Sequence, residues 1–312
     1  MEARPCYTGG MQQGSIDALV AGMPQFRGQE RQIRPLPGGI TNRNYVVTCE
    51  GREYVVRIPG ERTELLGVDR ANESEAAARA AELGIGPPVL GVLPNVGTLV
   101  TELVPGGHLD TDQFVARLPE VVALIQQFHG GGRLRGTFPI HRVVEWHARD
   151  AGAHGVMAPR AYERLHQQSR RIEATFAKAP LPLVACHNDL LPANVLFDND
   201  RAWLLDFEYA GMNDMFFDLA NLSVNCDLDL AAEEQLLVLY FGEITRSGLA
   251  RLQLMKMMSE FREGMWAVVQ QAISTLDTDF VSYADERLTH CEQLASRPAF
   301  ERWLTDAAEP VL

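Results

Sequence analysis

The stretch CHNDLLPANVLFDNDRAWLLDFEY, residues 186–209, sets three oxygen-bearing side chains, Asp189, Asn194 and Asp206, in and around two short apolar runs. Polar groups beside buried strands are costly unless they are engaged. Asp198-Asn199-Asp200 is a turn cluster, so the two runs fold as a hairpin about Asn199 or Asp200 and bring Asn194 nearly opposite Asp206. Asp189 stands on a loop just before. Carboxylates held this close repel each other. A hard divalent cation removes the repulsion: Mg²⁺ takes oxygen ligands, few of them from protein, and fills its shell with phosphate and water. Phosphoryl transfer is the chemistry that uses such a set, because it needs a metal to neutralise phosphate charge and an acidic group to orient the attacking hydroxyl.

The surroundings are those of an ordinary globular chain of 312 residues, 46% hydrophobic and 22% charged. That length predicts one large domain or two lobes. The N-terminal stretch lacks a basic segment followed by an apolar one, and no run approaches the ~18 apolar residues of a membrane span, so a cytoplasmic protein is expected. Cys6, Cys49, Cys186, Cys226 and Cys291 are scattered without CxxC spacing, which points to neither a disulfide framework nor a zinc site. A net charge of -13 argues against nucleic acid or anionic membrane as partner and suits a cationic substrate. A monomer or homodimer is expected.

The elements that must position the three residues are legible in outline. NYVVTC and EYVVRI read as a β-hairpin across Glu50-Gly51. DRANESEAAARAAELG reads as a helix capped by Asp69 and closed by Gly84. GTLVTELVPGG reads as a strand running into a turn, after which DQFVARLPEVVALIQQF and LQLMKMMSEFREGMWAVVQQAISTL carry helical periodicity. A lobe boundary is therefore placed at 102–107, between an N-terminal lobe, 1–104, and a C-terminal lobe, 105–312.

HNDLLPAN followed by LLDFEY resembles the catalytic and metal-binding segments of the choline/ethanolamine kinase family, within the wider aminoglycoside-phosphotransferase-like group. The resemblance runs from about Ile33 to Arg287. It implies an α+β, two-lobed protein-kinase-like fold: an antiparallel sheet with one helix, then a mainly helical lobe bearing the catalytic β-hairpin. It implies ATP and Mg²⁺, with Asp189 as catalytic base, His187 supporting its loop, and Asn194 and Asp206 as metal ligands. Glu208, two residues past Asp206, would hold a metal-bound water. GGITN resembles the nucleotide-covering loop, which brings in Gly38, Gly39, Thr41 and Asn42. Arg57 would grip phosphates, held by Glu73 rather than the competing Glu75. Glu102-Leu103-Val104 would form the hinge, with backbone groups of Glu102 and Val104 meeting the base. Asp218 and Asn221 in FDLANL fall three residues apart on an expected helix start, where Asp218 suits a supporting role, capping backbone or holding the catalytic loop. The chain departs from the family after Asn221, where it reads NLSVN and lacks an expected glutamate.

For the acceptor, the segment from Phe261 to Leu288 resembles the choline-binding wall. Trp266 and Tyr283 match aromatic cage positions, whereas Glu263 and Thr278 stand where further aromatics are expected. Aromatic faces attract an ammonium group by roughly 0.5–2 kcal/mol each, so this reduced cage with a carboxylate fits a small cationic amino alcohol bearing a primary or secondary amine. The competing reading of Trp266 and Glu263 is as helix residues turned to the core, with the pocket preferred for Trp266. Rival readings are a kinase of the same superfamily acting on an aminoglycoside, thiamine or sugar alcohol, and a non-catalytic nucleotide-binding module. A protein kinase would need a long segment after DFE, and only AGMND follows.

Overall fold

A computed structural model of the chain describes residues 13–37, 42–93, 97–198 and 201–311. Gly38, Gly39, Thr41, Cys6 and the expected turn residues Asn199 and Asp200 lie outside them. Strands β1 (Arg31–Leu36), β2 (Asn42–Cys49), β3 (Arg52–Pro59), β4 (Val89–Leu93) and β5 (Thr98–Glu102) form one antiparallel sheet in the order β1-β2-β3-β5-β4. β2 and β3 join through Glu50 and Gly51 at φ 51° and 77°, the left-handed geometry of a tight hairpin turn. Alternation then sorts the faces. Tyr45, Val47, Cys49, Val56 and Ile58 pack on Ile16 and Val20 of α1 (Gln13–Ala21) and on Met23 and Phe26.

Beside the sheet lies α2 (Arg70–Glu82), which begins where expected. The Asp69 carboxylate accepts from the N–H groups of Ala71 (2.9 Å) and Asn72 (3.2 Å), and Gly84 ends the helix at φ 71°. The buried face of Ala76, Ala77 and Ala80 is small enough for close packing, and it joins the same core as the helical half. Asn72 ties the two together, donating to the Ala210 carbonyl and accepting from Gly136 N–H at 2.9 Å.

The rest is mainly helical: α3 (Thr111–Ala116), α4 (Leu118–His129), α5 (Ile140–Ala153), α6 (Tyr162–Phe176), α7 (Met215–Asn225), α8 (Leu230–Phe241), α9 (Arg246–Ile273), α10 (Phe280–Ala295) and α11 (Phe300–Asp306). The helix expected over 112–128 is two helices, because Pro119 has no N–H to continue α3 and instead opens α4. The helix expected to reach Leu276 stops at Ile273, where the Ser274 hydroxyl takes the Leu276 N–H at 3.1 Å and competes with the helical pattern. α9 is buried over most of its length, with Met258, Phe261, Met265 and Val268 in the core as their spacing predicts.

Two short ribbons carry the loops of interest. β6 (Val184–Cys186) pairs with β9 (Gly211–Asn213), and β7 (Val195–Asp198) pairs with β8 (Arg201–Leu204) in the expected hairpin. Leu205 N–H donates to the Asn194 carbonyl at 2.8 Å, so Asp206 lies one residue beyond Asn194's partner. After β5 the chain meets this hairpin directly: Gly107 and Phe197 exchange backbone hydrogen bonds of 3.0 and 2.9 Å. Gly106 precedes this contact at φ 134°, and a Cβ there would stand 2.9 Å from the Phe197 carbonyl oxygen. Among the described residues, no helix is long and apolar enough to cross a membrane, and Cys49, Cys186, Cys226 and Cys291 are buried free thiols.

Gly106→Ala therefore combines a backbone region closed to L side chains with a backbone clash, and is expected to cost about 1–3 kcal/mol. Denaturant melts would show the loss, whereas Gly155→Ala, whose Cβ meets nothing within 4 Å, should cost less.

Candidate active site

The loop carrying Asp189 is held from below by α7. Asp218 accepts the His187 N–H on Oδ2 at 2.8 Å and the Asn188 N–H on Oδ1 at 2.7 Å, and His129 Nε2 reaches Oδ2 at 2.9 Å. Hydrogen bonds to a charged acceptor contribute about 1.5–3 kcal/mol each. One turn on, Asn221 Oδ1 takes the Leu190 N–H at 2.5 Å and Asn225 Nδ2 donates to the Leu190 carbonyl at 3.1 Å. Asp218 thus takes the supporting role expected of it, Asn221 joins it, and Asn225 adds a contact in the segment where the family glutamate is missing.

His187 is buried, and burial keeps its pKa below the ordinary histidine value. Its partners fit a neutral ring: Nδ1 accepts the Asp189 N–H at 3.3 Å while Nε2 donates to the Leu205 carbonyl at 2.8 Å. It clamps the Asp189 loop to the strand end that leads into Asp206. Asn188 and Asp206, on either side of this clamp, both adopt left-handed backbone, at φ 64° and 65°. Such strain clusters at functional sites and persists only where the surroundings impose it. For Asn188 they do, since its amide donates to the Tyr209 carbonyl at 3.0 Å and its oxygen accepts from Asn213 at 2.8 Å.

Asp189 points towards a cation that motif reading did not find. Arg262 on α9 places Nη1 at 3.3 Å from Asp189 Oδ1 and 2.7 Å from Glu263 Oε2. Its guanidinium lies 4.3 Å above the Tyr209 ring. Burial opposes the Arg262 charge, but Glu263 and Asp189 outweigh burial and hold its pKa above the ordinary arginine value. For Asp189, burial and the carboxylates of Glu263, Asp206 and Glu208 outweigh Arg262 and lift the pKa to about 7. Asn194 adds its amide, donating to the Asp189 carbonyl at 2.9 Å.

The other carboxylates gather around Arg57. Its Nη2 pairs with Asp206 and lies 3.3 Å from Glu208, and its Nε is 3.6 Å from Glu73. Glu73 is thus within reach of Arg57, whereas Glu75 accepts from the Arg135 N–H at 3.2 Å instead. Arg70, which sequence reading missed, lies 2.7 Å from Glu73 and 3.7 Å from Glu208. Asn42 donates to Glu208 at 2.8 Å across the gap between sheet and helical half. Among the described acidic, histidine and cysteine side chains, only His129, Cys186 and Asp218 bring three ligand atoms within 4.8 Å of one another. There Asp218 already accepts two backbone N–H groups.

Asp189, Asn194, Asp206, Arg57 and Glu208 all border one cavity of about 720 Å³. Towards the sheet it is walled by Leu36, Val55, Ala77 and Leu99 and reaches the chain at Glu102, Leu103 and Val104. The Leu103 N–H is spent on the Glu53 carbonyl at 3.0 Å, and Val104 follows as the first residue beyond it. Towards α9 and α10 the walls are Trp266, Phe280 and Tyr283. Trp266 meets Phe280 and Tyr283 edge-on at 5.9 and 6.5 Å between ring centres, and its indole N–H donates to the Tyr209 hydroxyl at 3.0 Å. Trp266 is therefore both packed and part of the wall. Phe280 adds to this wall a third ring that the sequence reading did not name, beside Thr278, which also lines the cavity. Glu263 faces the cavity already engaged, by Arg262 and by the Tyr283 hydroxyl at 2.9 Å.

Residues 32–254 match the phosphotransferase enzyme family. The structure superposes with a TM-score of 0.81 on a choline/ethanolamine kinase family protein from Mesorhizobium loti, 30% identical, covering 96% of this chain and 99% of that one. The chain belongs to the choline/ethanolamine kinase family of phosphotransferases. Ethanolamine kinase 2 of Mus musculus is 27% identical over 90% of this chain and 82% of its own length. A choline kinase of Streptococcus pneumoniae, 22% identical, shares the fold at a TM-score of 0.78 over 91% of this chain and 99% of its own. This family member has the two-lobed protein-kinase-like fold, with an antiparallel sheet in one lobe and the catalytic hairpin in the mainly helical other.

The raised Asp189 pKa has a consequence for stability. The folded protein binds this proton more tightly than the unfolded chain, so the contribution is fully present below the ordinary aspartate pKa and is lost as pH rises through about 7. The melting temperature of the ligand-free protein should therefore fall less between pH 5 and 8 in Asp189→Asn than in the wild type. At pH 8 the variant should melt higher by a few degrees.

Proposed function

We propose that this protein transfers the γ-phosphoryl group of ATP to the hydroxyl of a small amino alcohol of choline or ethanolamine type. One observation carries the reading: a single cavity runs from an apolar cleft beside the sheet to an aromatic cage, with Asp189, Asn194 and Asp206 bordering it between. The apolar cleft suits a base, with residues 102–107 as the hinge between lobes and Glu102 and Val104 offering backbone groups. The cage of Trp266, Phe280 and Tyr283 suits an ammonium group, at about 0.5–2 kcal/mol per ring. Kinases of the same family named for ethanolamine and choline support the acceptor class.

Each residue has a physical task in this scheme. Asp189 accepts the hydroxyl proton, its hydrogen bond orienting the oxygen for in-line attack. Arg57 presents a planar fork to the phosphates, backed by Glu73 and by Glu208, whose Oε2 is held by Asn42. Gly38, Gly39 and Thr41 would complete the cover over the nucleotide. Asn194 and Asp206 fit a magnesium ion by the chemistry of their donors: both offer hard oxygens, and Asn194 has committed its amide nitrogen to Asp189. A magnesium ion held there would neutralise the phosphate charge. Holding such an ion would draw Asp206 away from Arg57 and leave the guanidinium for phosphate. An aminoglycoside fits less well, because Arg262 offsets one of the two carboxylates at the acceptor end and leaves little charge for a polycation.

ADP release measured over a panel of ethanolamine, choline, thiamine, sugar alcohols and aminoglycosides tests the assignment, and a preference for a bulky polyol would overturn it. Asp189→Ala should lower kcat by roughly 10²–10⁴ fold while leaving nucleotide binding in place, and EDTA should stop turnover. Near-normal turnover in that variant would contradict the role given to Asp189.

A further inference from the structure

Arg262 has so far been given only its charge, yet it touches the carboxylates at both ends of the proposed acceptor site. It is 2% exposed, and a single nitrogen, Nη1, contacts Asp189 and Glu263 at 3.3 and 2.7 Å. Those two carboxylate oxygens therefore stand at most about 6 Å apart, the two contacts laid end to end. The bridge is rigid. The guanidinium is stacked on Tyr209, its Nε and Nη2 are buried with no hydrogen-bond partner among the described residues, and the far oxygen of Glu263 is held by the Tyr283 hydroxyl at 2.9 Å.

We propose that Arg262 is a positioning and specificity residue that fixes the distance between the Asp189 and Glu263 carboxylates and so selects acceptors by the spacing of hydroxyl and ammonium. The inference rests on the amino-alcohol reading above. A ligand whose hydroxyl donates to Asp189 and whose ammonium donates to Glu263 must bridge that short span with hydrogen bonds of about 2.8 Å at each end. A chain of about two carbons keeps its hydroxyl and ammonium inside that span with both hydrogen bonds made, whereas a longer one fills or overruns the span and is pressed towards the wall of Trp266 and Phe280. The guanidinium adds a second selection. A primary ammonium donates into the lone pairs that Arg262 and Tyr283 leave on Glu263, whereas a trimethylammonium has no N–H to donate. Its cationic neighbour also occupies the Tyr209 face that could otherwise join the cage. The preferred acceptor is thus a primary amine two carbons from its hydroxyl.

The experiment compares kcat and KM for 2-aminoethanol, 3-aminopropanol, 4-aminobutanol and choline in the wild type, Arg262→Met and Arg262→Lys. The wild type should favour 2-aminoethanol by at least tenfold in kcat/KM over the longer amines and over choline. Arg262→Met should flatten that ranking to within about threefold, mainly through a higher KM for 2-aminoethanol, and Arg262→Lys should restore part of it. Where Arg262→Met does not fold, Tyr283→Phe, which removes the other anchor of Glu263, should flatten the ranking in the same direction. An unchanged ranking in the folded variants, or a wild type that prefers choline or the longer amines, overturns the inference and leaves the kinase reading standing. Wild-type protein that releases no ADP with any amino alcohol overturns the kinase reading instead.

Discussion

The site depends on one buried carboxylate. Asp218 takes the N–H groups of His187 and Asn188 on its two oxygens, and those two residues precede Asp189. A strained turn with Asn188 at positive φ would relax without a strong acceptor beneath it. With the turn held, His187 can span from the Asp189 N–H to the Leu205 carbonyl, and that span sets the spacing between the loop and the strand end carrying Asp206. The placement of the Asp189 loop relative to the strand end carrying Asp206 follows from this arrangement.

Above that floor the electrostatics are arranged as two shared cations. Arg57 serves Asp206, Glu208 and Glu73, and Arg262 serves Asp189 and Glu263. Buried charges are tolerated only when paired, so each arginine here is held by the carboxylates around it. Each arginine has more carboxylates than it can neutralise, so each cluster keeps net negative charge. Under the proposed function one cluster would be completed by a divalent ion and the other by an ammonium group. In this account the unliganded protein is pre-organised for two positive ligands, the metal of the nucleotide and the head of the acceptor.

How far the chain could be read depended on whether a signal was local. Asp69, Gly84 and the alanines between them follow helix-capping and spacing rules, and α2 begins and ends accordingly. The Glu50-Gly51 hairpin and the stripe from Met258 to Val268 are legible for the same reason. β1 and β4 were not legible: RQIRPL is polar with a proline, and VLGVL is short and broken by glycine, both permitted because each lies at an edge of the sheet. In the site, Asp189, Asn194, Asp206, Arg57 and Glu73 stand in motifs of fixed spacing. Arg262 does not, because it sits beside Glu263 in sequence, where neighbouring helical positions face apart and a pairing between them is not expected. Its spacing of four from Trp266 was the available clue, since it puts both on one helix face. Phe280 and the Asn42–Glu208 bond are contacts between distant segments and have no local signature, whereas Arg70 stands three residues before Glu73 on α2, a helical pairing distance that was available in the sequence.

The account stands on the convergence of Asn194 and Asp206 on a single metal-nucleotide beside Asp189. Its most direct test is a crystal of the protein grown with Mn²⁺ and a non-hydrolysable ATP analogue, with the ion located by anomalous scattering. The account predicts an ion bound by the Asn194 and Asp206 side-chain oxygens and the analogue's phosphates, with Arg57 released from Asp206. An ion bound elsewhere, with Asp206 still paired to Arg57 and the phosphates outside the cavity, would contradict it.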